Sequence, residues 1–500
     1  MISRVLGFVR DLVLARVFGA DAATDAFFVA FKIPNFLRRL FGEGAFATAF
    51  VPVLMEYKEQ RSQSELKALV DHVAGTLGLV VLAVSLIGVL AAPLIVSLFA
   101  LGWVLDGEQA KLELAAQMLR LTFPYLMFIS LTAFAGGILN AHNRFAVPAF
   151  TPVLLNLCLI GAALWLAPMM EQPVVALAWG VLIAGVLQFT FQLPFLHRLQ
   201  MLPRFRPAPR HEGVRRIMTL MLPALFAVSV VQVNLLFDTL LASFLQTGSI
   251  SWLYFSDRLM EFPLGVLGVA LATVILPNLS KQHAEQDPEA FRRTMDWGLR
   301  STLLLGAPAA VGLAVLAGPI MATLFLSERF DAEDVGMARL SLMAYSAGLL
   351  AFIFIKVLAP GYYARQDTKT PVTIGIKAML ANMLFNLMLI FPLQHAGLAL
   401  ATSLSAFFNA GLLLRGLMRA GVYRPGREWG RIFAITLAAC LSMSGLILWL
   451  LPGMDYWLSA DSWSKAGRLL LVISAGAAAY LGSLWLLGVR PAHFRVHGSI

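Results

Sequence analysis

Two stretches near the start of the chain decide its fold class: SRVLGFVRDLVLARVF (residues 3–18) and TDAFFVAFKIPNFLRRLFGEGAF (residues 24–46). Both have the apolar character of membrane helices, yet they carry several charged residues. These are Arg4, Arg10, Asp11, Arg16, Asp25, Lys32, Arg38, Arg39 and Glu43. Because a charge at the centre of a bilayer costs about 2.5–3.5 kcal/mol on insertion scales, these groups should line a polar interior. Bases outnumber acids, so that interior is predicted to hold an anion.

The whole chain has the composition of a membrane protein. Of its 500 residues, 59% are hydrophobic and 13% are charged, and the mean hydropathy is +0.78. Soluble domains contain about 25% charged residues. The composition therefore predicts an all-α polytopic membrane protein without a soluble domain.

Apolar runs between helix breakers predict about fourteen transmembrane helices. Their approximate limits are 2–18, 24–55, 69–99, 109–139, 147–167, 173–197, 214–245, 250–280, 292–325, 335–363, 370–391, 395–418, 430–451 and 465–488. Pro34, Pro124 and Pro263 lie inside spans and should kink them. The first span is short for a bilayer, so we expect either a natural start upstream of Met1 or a short, tilted helix.

The loops between these spans predict the orientation. Basic residues are concentrated in one alternate set of loops, for example at 198–216 and 415–431. The other set contains little beyond Lys111, Arg329, Lys465 and Arg468. By the positive-inside rule, both termini are cytoplasmic. The same bias accounts for most of the net charge of +10, so no nucleic-acid partner is expected.

The sequence also repeats itself. AFATAFVP (45–52) and ALATVILP (270–277) both precede polar loops, and NAHNRFAVPAFTP (140–152) is similar in place and character to APGYYARQDTKTP (359–371). Asn156 and Asn382 follow Pro52 and Pro277 at nearly the same spacing. Shared loop chemistry is the alternative explanation. The repeat predicts an N-terminal lobe at 1–198 (helices 1–6), a C-terminal lobe at 213–420 (helices 7–12) and two extra helices at 428–490, with a cationic cavity between the lobes.

The charged residues of the second span share one helix face. Asp25, Lys32 and Arg39 recur every seven residues, which places them on one stripe. On the first span, Arg4 and Asp11 share a face, and Arg10 is offset from it. The alternative to a ligand site is internal pairing, for example of Asp11 with Arg10 or Arg16.

A second charged group opens the eighth span, in WLYFSDRLMEFPLG (252–265). Its charged members are Asp257, Arg258 and Glu261, and local pairing of Arg258 with Glu261 is one interpretation. The functional hypothesis is that Arg258 faces Arg10 and Arg38 across the cavity while the acids hold it in place. The planar guanidinium suits phosphate oxygens, which it binds through two hydrogen bonds at once.

A separate polar set predicts a small cation. Asp238 is a lone carboxylate on helix 7, Asn382 and Asn386 lie one turn apart on helix 11, and Thr402 lies on helix 12. Oxygen atoms from three helices suit Na⁺. The alternative is that Asp238 is protonated or hydrogen-bonded and serves packing. The sequence predicts no other cofactor.

Several of these motifs resemble the MurJ (MviN) family of lipid II flippases, in the multidrug/oligosaccharidyl-lipid/polysaccharide exporter superfamily. The resemblance is carried by SRVLGFVRD, TDAFFVAFKIPNFLRRLFGEGAF, NRFAVPAFTPVLLN, FSDRLMEFPLGVLGVALATVILP and LAPGYYARQDTKTPV. It implies a MATE-like fold, alternating access and a bacterial inner membrane. It also implies a substrate, lipid II, in which a disaccharide-pentapeptide is linked to undecaprenyl pyrophosphate.

The resemblance implies roles for individual positions as well. The implied substrate residues are Arg4, Arg10, Asp11, Asp25, Arg38, Asp257, Arg258 and Glu261. Some members of the family have a sodium site on helices 7, 11 and 12, which matches Asp238, Asn382, Asn386 and Thr402. This chain has asparagine at 386, where a second carboxylate can occur. Cell-wall synthesis proteins are further expected partners.

The predicted function is therefore transport of lipid II, and not enzymatic catalysis. The chain has no phosphate-binding glycine loop and no nucleophile motif. One alternative is export of another lipid-linked glycan. A multidrug/cation antiporter of the same fold is another, although it would favour an acidic cavity. A membrane scaffold for cell-wall enzymes is the third, but it would not need buried arginines.

Overall fold

The chain forms two compact units, Met1–Ser251 and Trp252–Ile500. A computed structural model describes residues 2–39, 46–426 and 428–490, apart from the side chains at 2, 223, 224 and 226–232. Glu43 therefore lies outside the described residues. Within these ranges all regular secondary structure is helical, in agreement with the predicted class.

The first unit contains the charged helices of the N-terminal stretch. Its helices are α1 (Ile2–Phe18), α2 (Ala22–Leu37), α3 (Phe46–Gln60), α4 (Gln63–Leu90), α5 (Ala92–Phe99), α6 (Leu101–Leu105), α7 (Gln109–Thr122), α8 (Tyr125–Ala141), α9 (Ala146–Gly161), α10 (Val175–Arg198) and α11 (Glu212–Ala242). Asp21 caps α2 by accepting a hydrogen bond from the Thr24 amide at 2.8 Å. Helix α1 packs against α9, and α2 packs against α7.

The second unit contains the remaining long helices. They are α12 (Ser249–Pro263), which begins at the end of the first unit, α13 (Val269–Ala284), α14 (Pro288–Val315), α15 (Ala317–Leu324), α16 (Ala332–Tyr363), α17 (Lys369–Arg419), α18 (Trp429–Leu450), α19 (Met454–Ser459) and α20 (Ser462–Leu486). The two extra C-terminal helices, α18 and α20, pack against each other and against α14. Tyr480 fastens α20 to α14 by donating a hydrogen bond to the Leu304 carbonyl oxygen at 2.7 Å.

Ten helices in the described part are long and apolar enough to cross a membrane, so the predicted count of fourteen is not confirmed. Spans 11 and 12 form one continuous run, α17, interrupted only at Gln394, whose φ is 49°. Span 1 is the 17-residue, charged α1. The predicted single span 24–55 contains α2 and the first part of α3, and it stays a prediction because residues 40–45 between them lie outside the described residues. Only part of span 7 has described side chains.

Two of the three prolines interrupt helices as predicted. Pro124 separates α7 from α8, and Pro263 ends α12, where a five-residue π-helical segment follows. Pro34 lies inside α2, near its end. Proline has no backbone N–H to donate and its ring crowds the preceding turn, which accounts for the breaks. The three-part division of the chain stays a prediction.

The core of the first unit is aromatic and aliphatic. Phe46, Phe50 and Phe134 bring α3 and α8 together, with ring centroids 5.0–6.3 Å apart. Met201, in the segment after α10, is 1% exposed and packs into the same cluster. This core fixes the segment that connects α10 to α11 against the helices beneath it.

Candidate functional site

The predicted ligand residues of α1 form a buried ion pair. Arg10 is 9% exposed and Asp11 is 2% exposed. The Arg10 Nε and Nη2 atoms donate to Asp11 Oδ1 at 2.9 and 2.7 Å. The internal pairing considered for Asp11 is therefore present. A paired arginine in a membrane helix keeps its charge, because the carboxylate offsets the cost of removing it from water.

Asn156 of α9 holds both the arginine and the start of α1. Its Oδ1 accepts from Arg10 Nη1 at 3.1 Å, and its Nδ2 donates to the Ser3 carbonyl oxygen at 3.1 Å. Asn156 is 5% exposed. In the sequence, Asn156 was notable only for its position in the predicted repeat. Its hydrogen bond with Arg10 depends on the packing of α1 against α9. Arg4, by contrast, has an exposed side chain.

Asp25 of α2 is bound to the first turn of α12. Its Oδ1 accepts from the Ser251 amide at 2.9 Å and from Ser251 Oγ at 2.6 Å, and its Oδ2 accepts from the Gly248 amide at 2.7 Å. Asp25 is 2% exposed. A carboxylate at the beginning of a helix satisfies amide groups that lack a partner within the helix and offsets the positive end of the helix dipole.

The other two residues of the α2 stripe differ in their surroundings. Lys32 Nζ donates to Thr239 Oγ1 of α11 at 3.0 Å. Arg38 is half-buried, and its Nε and Nη2 donate to Asn35 Oδ1 at 3.0 and 2.8 Å. At this contact Arg38 faces a neutral amide, whereas Arg10 faces a carboxylate.

Lys111 of α7 is a buried base that the sequence placed in an outer loop. It is 6% exposed, and its Nζ donates to Thr247 Oγ1 at 2.6 Å. Glu108 Oε1 lies 3.6 Å away, and the Trp103 ring centroid lies 5.4 Å away. Lys111 lies near the start of the predicted span 109–139, and its burial depends on contacts with Trp103 and Thr247 that sequence spacing does not predict.

The charged group of α12 is more accessible. Arg258 Nη1 donates to Glu261 Oε2 at 2.5 Å, with 28% and 45% of the two side chains exposed. The guanidinium carbon of Arg258 lies 5.0 Å from the Tyr254 ring centroid, which adds a cation–π contact. Asp257 is half-buried. The hypothesis that Arg258 faces Arg10 and Arg38 stays a prediction.

The predicted sodium ligands divide between the two units. Asp238 is half-buried on α11. On α17, Asn386 Nδ2 donates to Asn382 Oδ1 at 2.9 Å, and Asn382 Nδ2 lies 3.4 Å from Thr402 Oγ1. These three residues thus lie together and supply neutral oxygen atoms, the donor type that Na⁺ takes. Residues 2–39, 46–426 and 428–490 contain no group of three or more His, Cys, Asp or Glu arranged for a metal ion.

The helical architecture defines a class of membrane transporter. A solved inward-facing structure of a multidrug resistance MATE family transporter of the MOP superfamily matches 84% of this chain and 95% of its own, with a TM-score of 0.71. Its 15% sequence identity shows the fold alone. A solved structure of the lipid II flippase MurJ in an inward closed conformation gives a TM-score of 0.80 at 26% identity, covering 97% of this chain and 98% of its own.

The sequence places the chain more closely within that class. The family model for the lipid II flippase MurJ matches residues 14–462. The chain belongs to this family, as its motifs indicated. A Vibrio cholerae relative described as a probable lipid II flippase MurJ is 52% identical over 98% of this chain and 94% of its own. A Burkholderia cenocepacia relative described as a lipid II flippase MurJ is 44% identical over 99% and 96%.

Proposed function

We propose that the chain is a lipid II flippase, which moves the pyrophosphate-linked headgroup from the cytoplasmic to the periplasmic leaflet by alternating access. Membership of the family over nearly its full length is the observation that carries this function. The family is one of transporters, so the protein is not an enzyme. The fold shared with a multidrug transporter comes with 15% identity, which gives no support to the antiporter alternative.

Pyrophosphate binding is assigned to three arginines. Arg38 is half-buried, Arg258 has 28% of its side chain exposed, and Arg10 is held in a fixed orientation by Asp11 and Asn156. Charge-assisted hydrogen bonds to phosphate oxygens are among the strongest polar contacts, and a preorganised arginine loses less entropy when it makes them. In this proposal the acids position the bases: Asp11 for Arg10, and Asp257 and Glu261 for Arg258. Asp25 holds the start of α12, and Arg4 extends the basic surface of α1.

The proposed setting is the bacterial inner membrane, with both termini cytoplasmic. The excess of lysine and arginine in one set of loops supports this orientation. The prenyl tail of the substrate would stay in lipid while the headgroup crosses. Proteins of cell-wall synthesis are proposed partners, because they make and consume the same lipid-linked precursor.

Sodium is the proposed coupling ion. The neutral oxygens of Asn382, Asn386 and Thr402, with the carboxylate of Asp238, make a donor set that matches a monovalent cation. Binding of Na⁺ on one side of the membrane and its release on the other would couple the sodium gradient to the reorientation of the protein. Transport measured with and without a sodium gradient tests this, with Asp238→Asn as the variant. If wild type gives equal rates in both conditions, sodium is not the coupling ion.

The decisive experiment measures lipid II translocation in reconstituted vesicles. We expect transport by the wild type and loss of transport in the Arg38→Ala/Arg258→Ala double variant. Arg292→Gln is a matched control, because Arg292 also faces a glutamate three residues away, Glu289, at 3.8 Å. The control should transport like wild type. Growth of a depleted strain on the double variant at normal protein levels would overturn the assigned roles, and transport of other lipid-linked glycans at equal rates would overturn the substrate.

A further inference from the structure

The segment between α10 and α11, residues 199–211, lies in a fixed position along α4. We call it the basic linker. The Arg204 amide donates to Asp71 Oδ1 at 2.8 Å, and the Ala208 amide donates to Thr76 Oγ1 at 3.1 Å. The His72 ring Nδ1 lies 3.1 Å from the Arg206 carbonyl oxygen. Backbone hydrogen bonds to three side chains of one helix hold an extended segment that forms no secondary structure of its own.

The linker packs closely against the first half of α4. A Cβ atom added to Gly75 of α4 would come within 2.4 Å of the Arg206 backbone, and one added to Gly78 would lie 3.3 Å from the Phe205 ring. The apolar span of α4 begins near residue 69. At 1.5 Å per residue, Gly75 and Gly78 are about 9 and 14 Å further along the helix. The linker therefore lies beside the first half of the apolar span of α4.

Four arginines of this region form an exposed group, which we call the basic patch: Arg204, Arg206, Arg210 and Arg215. In the described part of the chain, their guanidinium groups make no hydrogen bond or ion pair. Arg216, the next residue in the chain, forms an ion pair with Glu56, with 2.8 Å between Arg216 Nη1 and Glu56 Oε1. Glu212 is the one acid within 199–216.

Two apolar side chains accompany the basic patch. Phe205 is 65% exposed and Leu202 is 39% exposed, although Met201 beside them is buried in the core. Cationic groups next to exposed apolar groups, beside an apolar helix long enough to cross a membrane, have the composition of a surface that binds anionic lipid. An acidic soluble protein would match the charges but would not explain the exposed apolar pair beside the apolar span of α4.

We propose that the basic patch binds anionic phospholipid headgroups of the cytoplasmic leaflet, with Phe205 and Leu202 inserted at the acyl boundary. This binding is distinct from transport of the headgroup substrate. It uses the proposed orientation of the chain, but vesicles with the same lipids in both leaflets report lipid selectivity whichever side the linker faces. Failure here would therefore leave the proposed transport function intact.

The test uses a tryptophan at position 205 as a local reporter. The Phe205→Trp variant is reconstituted in vesicles containing brominated phosphatidylglycerol or brominated phosphatidylcholine, and the quenching is measured as the difference from the parent, which has ten tryptophans. We expect several-fold stronger quenching by the anionic lipid. The selectivity should fall as salt rises from about 0.1 to about 1 M, because the screening length shortens from about 10 to about 3 Å.

A charge-neutral patch supplies the critical comparison. Arg204→Gln, Arg206→Gln, Arg210→Gln and Arg215→Gln together should remove the selectivity, since each basic residue near an anionic surface contributes about fivefold to association. The control changes Arg292, Arg293, Arg415 and Arg419 to glutamine, which removes the same charge elsewhere, and should keep the selectivity. Native mass spectrometry of phosphatidylglycerol retained by the chain with Phe205 intact gives a second measurement.

Three results would overturn the proposal. Equal quenching by the two lipids would mean that the patch does not select charge. Absence of quenching by either lipid would place Phe205 in water and favour a protein partner. Equal loss of selectivity in the control would show an effect of total charge rather than of this patch.

Discussion

Arg10 of α1 and Arg258 of α12 are the same residue type in two different environments. Arg10 is 9% exposed, with Nε, Nη1 and Nη2 all bound to Asp11 and Asn156. Arg258 pairs with Glu261 at the surface and lies over Tyr254. The first arginine is therefore part of the structure of its unit as well as a candidate ligand. The second belongs to an ion pair in which 28% of the arginine side chain and 45% of the glutamate side chain are exposed.

The largest expected difference between the two is in stability. Arg10→Ala leaves Asp11 buried without its described partner and should lower the unfolding free energy by about 3–5 kcal/mol. Arg258→Ala breaks a partly exposed pair and should cost at most about 1 kcal/mol. Thermal unfolding in detergent measures both. Equal losses would show that Arg258 is as structural as Arg10.

Asp25 and Asp21 give the same comparison of a buried and an exposed charged group, here for carboxylates. Asp25→Asn weakens charge-assisted hydrogen bonds to Gly248 and Ser251 and should cost about 1.5–3 kcal/mol. Asp21→Asn is the matched control, because an asparagine at the exposed N-cap of α2 still accepts from the Thr24 amide. The melting temperatures of the two variants give the comparison. An Asp25→Asn protein as stable as the control would mean that these bonds contribute little.

Asn156 and Asn382, which correspond in the predicted repeat, test whether the charge of the hydrogen-bond partner matters. Asn156→Ala removes a hydrogen bond to a guanidinium, whereas Asn382→Ala removes contacts with the neutral groups of Asn386 and Thr402. We expect Asn156→Ala to cost about 1 kcal/mol more, because hydrogen bonds to charged groups contribute more. Unfolding of both single variants under identical conditions measures the difference. A larger loss of unfolding free energy in Asn382→Ala than in Asn156→Ala would show that the charge of the partner does not decide the cost.

The smallest stability effect is expected at Glu261. Glu261→Gln should change the unfolding free energy by less than about 1 kcal/mol, since 45% of its side chain is exposed. If Glu261 positions Arg258 for the substrate, transport should fall much more than stability. A lipid II dose series separates the two effects: a weaker apparent affinity at an unchanged melting temperature supports positioning. Unchanged transport would leave the ion pair without a role in substrate binding.

Much of the fold was predictable because lipid imposes simple rules on sequence. Apolar length predicts where α4, α10 and α16 lie, and Pro124 and Pro263 mark breaks for steric reasons. The single span over 24–55 stays a prediction, because residues 40–45 between α2 and α3 lie outside the described residues. The motifs also indicated the family, and the comparisons confirm it. The sodium ligands and the substrate roles stay predictions.

The sequence by itself determined that charged groups occupy apolar helices, that basic residues exceed acidic ones there, and which family the chain belongs to. These properties depend on residue type and spacing, which are local. Only the tertiary structure decided that Asn156 holds Arg10, that Asp25 binds the start of α12, and that Lys111 is buried. Each of these contacts joins residues far apart in the chain. Their pairing follows from how whole helices pack, because a hydrogen bond needs its two atoms within about 3 Å and spacing along the sequence does not fix that distance.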